Sequence, residues 1–366
     1  MIAASPYEEA TWKSCVSTKI FEILPTTQGD SVIVTTSSTA YLLSSENGAK
    51  LKSNKRSDTY KNPNGEKVKV SYDGSYSIAG SWGRRNLVFR SLVANPSETE
   101  WESPLGQTLT DIEISADRST IAVTSYDYDL HLLTRSGYLL WRTIGKEIFR
   151  QIHVSSDGSS IAALSQNGNL SFFSRTEGYR WAAAPVSPVI DFGLSQNGRF
   201  IIFGSMDQSV HVLNDEAIPI IDVKLDGPVK YVTVSNTGKQ FAAVLENNTI
   251  LFFNQSQTPT WALSPDIPIS AVTLIQEKLI FGDISGGVYA FDNTSASPVF
   301  YSSSVNSSLG KKQTSAVITI SSTVAPLGNY GTKLRENGFG IIYYLIVGIF
   351  LIGILVEGVK ALKFKK

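Results

Sequence analysis

The chain is poor in the residues that build chemical sites. One cysteine, Cys15, stands among 366 residues, so no internal disulfide can form and no cysteine cluster can hold a metal. Three histidines are too few for a histidine-rich zinc centre. An excess of charge of either sign is missing as well. Lys and Arg number 32, Asp and Glu number 32, and the formal net charge is zero. That balance lacks the basic footprint on which nucleic-acid binding depends. Charged residues make up 17% of the chain and hydrophobic ones 42%. This excludes disorder as the main state and supplies apolar side chains for a sizeable core. No nucleophile elbow, phosphate loop, metalloprotease motif or dinucleotide fingerprint occurs. The expectation is therefore no metal, no cofactor and no nucleic-acid partner.

What is present is a repeat, and its period is 40 residues. Ser115, Ser155, Ser195 and Ser235 open the phrases SADRSTIAV, SSDGSSIAA, SQNGRFIIF and SNTGKQFAA. Trp101, Trp141, Trp181 and Trp261 fall on a grid of the same spacing, with Ile221 in the open slot and Tyr301 one step beyond. Two apolar stripes keep that register: Leu130, Leu170, Val210, Ile250, and Leu132, Phe172, Val212, Phe252. Looser copies begin at Thr26 (TTQGDSVIVTT), Ser71 (SYDGSYSIAGS) and Thr273 (TLIQEKLIFGD). Each unit reads as four short strands, a to d, with Asp-Gly or Asn-Gly turns that tolerate positive φ. Four-stranded units of about 40 residues are the signature of a β-propeller. Strand b is expected to begin near residues 31, 76, 120, 160, 200, 240 and 278. The tryptophan grid is expected to pack between blades.

Two propeller families share these phrases. Ser-x-Asp-Gly-x-x-Ile-Ala resembles the b-strand phrase of WD-repeat-like propellers. The passage LHLLTRSGYLLWRT at 130–143 is similar to the repeat of pyrroloquinoline-quinone-type propellers, with Trp141 in the expected place. The mixture resembles archaeal cell-surface propellers over roughly residues 12–302. Two departures matter. The Gly-His and Trp-Asp dipeptides of true WD repeats do not recur, and one cysteine rules out the adjacent-cysteine feature of quinoprotein dehydrogenases. The resemblance implies a single all-β propeller of about seven four-stranded blades, with eight as the alternative.

Closure of the ring has more than one candidate. Thr11–Thr18 (TWKSCVST) reads as a strand d that completes the last blade. Pro298–Ser302 reads as another, and Ala316–Val324 (AVITISSTV) as a further strand. The sequence divides into an N-terminal segment (1–10), the propeller (11–302), a stalk (303–337), a transmembrane α-helix (338–356) and a basic tail (357–366). Residues 338–356, GFGIIYYLIVGIFLIGILV, are uncharged and near the length that crosses a hydrocarbon core. Lys360, Lys363, Lys365 and Lys366 follow it, whereas Lys333 and Arg335 precede it. The positive-inside rule then puts the C-terminus in the cytoplasm and the propeller outside. The start, MIAASPYEEATWK, carries no signal-like run, so a tail-anchored protein with a cytosolic propeller is the alternative.

Chemistry has one candidate place. At equivalent innermost positions stand Lys67, Asp111 and Gln151, and two residues on stand Lys69, Glu113 and His153. Register predicts that Lys67, Lys69, Asp111, Glu113 and His153 line one side of the central channel, as ion pairs or as a polar ligand site. Asp127 and Asp129 read as a solvated turn that falls short of a calcium cage. His131 and His211 share one repeat position two blades apart and read as lone strand residues. The function that fits is a membrane-anchored, non-catalytic binding or scaffolding module. Its partner is a protein or envelope polymer, or the subunits of a membrane complex. An enzyme using the channel, of degenerate quinoprotein kind, is the alternative.

Overall fold

In the computed structural model the described residues are 10–292, less 27–28, 37–38, 56–66, 71–75, 81–85, 92–98, 105–107, 145 and 276–277, together with 319–321. They form seven antiparallel sheets, each with a four-stranded a-b-c-d core. Strand b begins at Ser31, Tyr76, Thr120, Ser160, Phe200, Gln240 and Lys278, as the period predicts. We number the blades 1 to 7 in that order. The strands a of blades 1 and 7, Ile20–Pro25 and Ile269–Ile275, are in contact, so the ring closes on itself.

The closing strand is Trp12–Cys15, which pairs antiparallel with Gly287–Asp292 and supplies strand d of blade 7. Thr319–Ser321, from the Ala316–Val324 segment, pairs elsewhere: it adds a fifth strand to the outer edge of blade 4. Pro298–Ser302, Tyr301 and the 338–356 segment lie outside the described residues. No helix long and apolar enough to cross a membrane occurs among the described residues.

The core lies between blades rather than within one. Strand b is buried on both faces in blades 1, 3 and 6, which explains its unbroken apolar run. Ile112, Ile121 and Val123 of blade 3 pack with Ile78 and Phe89 of blade 2, and Ala122, Leu130 and Leu132 face Phe149, Ile152 and Phe173 of blade 4. Trp12, Val288 and Ala290 of blade 7 meet Ile20, Val32 and Leu43 of blade 1 in the same way. Each fully buried Val, Leu, Ile or Phe among them contributes roughly 1.5–3 kcal/mol relative to exposure.

The Ser-x-Asp-Gly phrase is a self-contained a–b turn. The Ser155 hydroxyl donates to Asp157 Oδ1 at 2.7 Å and accepts the Ser160 N–H at 3.0 Å, while the same Asp157 oxygen accepts the Ser159 N–H. Blades 3 and 5 repeat the arrangement with Ser115–Asp117 and Ser195–Asn197. The turns are also strung together round the ring. Asp117 N–H donates to Ser156 O, Ser156 N–H to Gln196 O, and Asn197 N–H to Asn236 O. Gly158 serves both needs: its φ is +69°, and a Cβ there would lie 2.1 Å from Thr120 Oγ1 of the preceding blade. Left-handed backbone is costly for an L residue, and the steric overlap adds to it.

Gly158→Ala is therefore expected to lower stability by about 2–4 kcal/mol. Gly227→Ala, whose new methyl would meet only Leu245 at 3.5 Å, is expected to stay within about 0.5 kcal/mol. Denaturant titration of the two variants compares them. Equal stabilities would remove the inter-blade role of the glycine.

Candidate functional site

A β-bulge interrupts strand a in six blades, between Ile20/Glu22, Leu109/Asp111, Phe149/Gln151, Val189/Asp191, Val229/Tyr231 and Ile269/Ala271. A bulge re-aims the side chains beside it, and here they reach the next blade. The Ile152 N–H donates to Asp111 Oδ2 at 3.0 Å, and the Val232 N–H donates to Asp191 Oδ2 at 2.8 Å. Gln151 Nε2 donates to Asp191 Oδ1 and to Phe192 O, at 3.0 and 3.4 Å. Arg150 donates to Val189 O at 3.1 Å, and Lys230 Nζ to Ile269 O at 2.9 Å. Burial pushes the Asp191 carboxyl above its ordinary pKa, against the pull of the Val232 N–H, Gln151 and Arg150.

This is where the predicted channel residues fall. Asp111 and Glu113 lie on strand a of blade 3 (Leu109–Ile114), and His153 lies on strand a of blade 4 (Phe149–Val154). Glu113 is buried, and His153 sits 3.2 Å from Gln151 Nε2 with its ring edge-on to Phe192. Lys67 and Lys69 pair with Gly80 and Ile78 across the blade 2 sheet, but their side chains lie outside the described residues. Asp111 thus acts as an inter-blade clasp, a role its neighbours Gln151 and Asp191 share at the same repeat position.

The Asp127–Asp129 turn is not solvated as expected. Asp129 is buried, and Arg142, directly across from its neighbour His131 on strand d, brings Nε to 3.3 Å of Asp129 Oδ2. Burial and the adjacent Asp127 charge raise the Asp129 pKa, while Arg142 opposes them. His131 is 5% exposed, so burial, aided by Arg142, depresses its pKa to about 4 against the pull of Asp127. Its 3.9 Å approach to Asp129 is a contact of a neutral ring, not an ion pair. His211 is likewise no lone residue. It stacks on Phe203, and its Nδ1 lies 3.4 Å from Asp222, its cross-strand partner. Burial lowers its pKa against the pull of Asp222 and Asp207. Among the described residues no group of three or more His, Cys, Asp or Glu side chains is placed to hold a metal ion.

The outward feature is a repeated turn position that sequence reading passed over. In an antiparallel blade the b–c turns and d–a loops share one face. The first residue after strand b is Tyr126, Gln166, Met206, Glu246 and Ile284 in blades 3 to 7. In each, its N–H donates to a carbonyl just before strand a: Thr108, Ile148, Pro188, Pro228 and Pro268, at 2.8–3.1 Å. The backbone is pinned and the side chain faces out. Tyr126, Tyr128, Met206 and Ile284 are exposed there, with Val186 on a neighbouring d–a loop. The signal in the sequence was the 40-residue spacing from Tyr126 to Met206 by way of Gln166.

No family model matches the chain, and no curated protein does. Among solved structures, the β-propeller domain of Cps50 (Swd1) from Myceliophteria thermophila is similar. The TM-score is 0.59 at 12% sequence identity, covering 78% of this chain and 100% of that one. The fold is thus a β-propeller, with seven blades among the described residues.

The His131 cluster generates a pH prediction. An unfolded histidine protonates near 6.5 and folded His131 near 4. The stability from its neutral form is full above pH 6.5 and lost as pH falls through 4, about 3 kcal/mol in all. Asp129, raised in the fold, acts in the opposite direction. The denaturation midpoint of wild type is expected to fall relative to that of His131→Phe as pH drops from 7 to 4. Parallel profiles would mean that His131 takes up its proton at the same pH in the folded and unfolded states.

Proposed function

We propose that the chain is a membrane-anchored, non-catalytic binding or scaffolding module. Its b–c face meets a protein or envelope polymer, residues 338–356 cross the membrane, and the lysine tail lies in the cytoplasm. The pinned turn position carries this reading. Tyr and Met side chains supply large apolar contact area, and a backbone fixed before binding reduces the ordering cost of association. Tyr126, Met206 and Ile284 stand on three blades of one face, held by the same backbone hydrogen bond. Large apolar side chains on a fixed backbone, with the polar Gln166 and Glu246 between them, suit an interaction surface.

A photo-crosslinking residue at Met206, in intact cells, is expected to give a defined adduct. The same residue at Tyr138, exposed on the c–d turn of the opposite face, is expected to give none. Equal adducts from both, or none from Met206, would overturn the surface. Topology has its own readout. Exposed Cys15 should react with an impermeant thiol reagent on intact cells, whereas Cys15→Ser with Lys366→Cys should not. The reverse pattern would place the propeller inside.

A further inference from the structure

A sheet edge with unpaired N–H and C=O groups invites another strand, and proteins blunt such edges with charge, proline or shortness. The outer strands of this propeller do so to different degrees. Strand d carries Lys50, Lys52 and Lys55 in blade 1, Glu100, Glu102 and Pro104 in blade 2, Arg142 in blade 3, Pro219, Asp222 and Lys224 in blade 5, and Lys13 in blade 7. Blade 6 keeps only Trp261–Leu263, with Pro265 soon after. Blade 4 has the longest outer strand, Gly178–Ala184; Arg180 lies in its first half and Pro185 follows it, but the stretch Trp181–Ala184 holds no charge and no proline.

That edge is where the chain's own strand lies. Ala182, Ala183 and Ala184 pair antiparallel with Ser321, Ile320 and Thr319. The paired segment belongs to a run, Ser315–Val324, that is uncharged and rich in β-branched residues. Three pairs use less than half of the seven-residue strand, and strands this short are at the lower limit of stability.

We propose that the outer edge of blade 4 is a strand-accepting site for a partner's extended, uncharged, β-branched peptide, and that Thr319–Ser321 occupies it until such a segment displaces it. A partner pairing along all of Gly178–Ala184 forms a longer ladder than the resident strand. The small side chains Ala182 to Ala184 leave room for its bulk, and backbone hydrogen bonds supply affinity, as in strand addition generally. The site is on the rim of one blade, so it stands or falls independently of the b–c face.

The test uses the full chain with Cys15→Ser. Oxidation of Ala183→Cys with Ile320→Cys, the registered pair, is expected to form an intramolecular disulfide at least tenfold faster than Ala183→Cys with Ser321→Cys, whose side chains point to opposite faces. A fluorescent peptide of sequence SAVITISSTV is then titrated into three proteins. The tethered resident strand acts at high effective concentration. Thr319→Pro with Ser321→Pro is therefore expected to bind the peptide at least tenfold more tightly than the parent, and the disulfide-locked chain not at all. No preference for the registered cysteine pair would overturn the resident strand. Equal peptide binding by the proline variant and the locked chain would overturn the acceptor site.

Discussion

The ring depends on indoles that end one blade and are held by the next, at four junctions among the described residues. Trp101 Nε1 donates to Arg135 O, Trp141 to Arg175 O and Trp181 to Asp215 O, each at 2.8–2.9 Å and each in the c–d turn of the following blade. On its own blade the indole stacks on an aromatic of strand c, as Trp101 does on Phe89, Trp181 on Phe172 and Trp261 on Phe252. A β-bulge just before the tryptophan, between Leu132/Leu133 in blade 3 and Phe172/Phe173 in blade 4, aims the ring across the gap. It leaves Leu140, and Ile220 before Ile221, exposed. Trp12 makes the last of these contacts. From strand d of blade 7 it donates to Ser45 O at 2.9 Å in blade 1, where Gly48, at φ +70°, leaves the ring its space: a Cβ would lie 2.3 Å from it.

A second set of inter-blade contacts lies on strand a. Side chains there reach the neighbouring backbone, and Asp111, Gln151 and Asp191 do so at one repeat position, Asp191 at a junction whose grid position is Ile221. The packing of blades also buries polar groups and sets their charge states. Asp191 and Asp129 are pushed toward their protonated forms, and His131 and His211 toward neutrality. Burial of an ionisable side chain opposes its charged form. The propeller therefore biases His131 and His211 toward neutrality inside the sheets and leaves apolar residues such as Met206 and Tyr126 on the surface of one face.

Much of the architecture was legible because it repeats. The seven strand-b starts follow from the serine phrase and the tryptophan grid, since period and hydrophobic pattern act through the sequence alone. Trp12 was legible as part of a closing strand but not as a member of the grid. It is first in the chain and last in the ring, so no spacing connects it to Trp261. The bulges were not legible, because a bulge is a property of pairing rather than of one strand. Asp129 was misread for a related reason: its cover, Arg142, comes from the adjacent strand, and local polarity around Asp127 and Tyr128 suggested water instead. The shared repeat position of Asp111, Gln151 and Asp191 was legible, but the role of Asp111 as a backbone clasp appears only when blade 4 stands beside it.

Hydrogen exchange on Trp12→Ala tests the ring account most directly. Loss of a buried tryptophan is expected to cost about 3–5 kcal/mol, and the account locates where that cost appears. Amides of strand a in blades 1 and 7, Ile20–Pro25 and Ile269–Ile275, should lose protection by at least a hundredfold at neutral pH. Those of strand b in blades 4 and 5, Ser160–Ser165 and Phe200–Ser205, should change far less, because their own indole contacts remain. Uniform loss across all blades, or no loss at the closure, would contradict a ring held shut by the Trp12 contact.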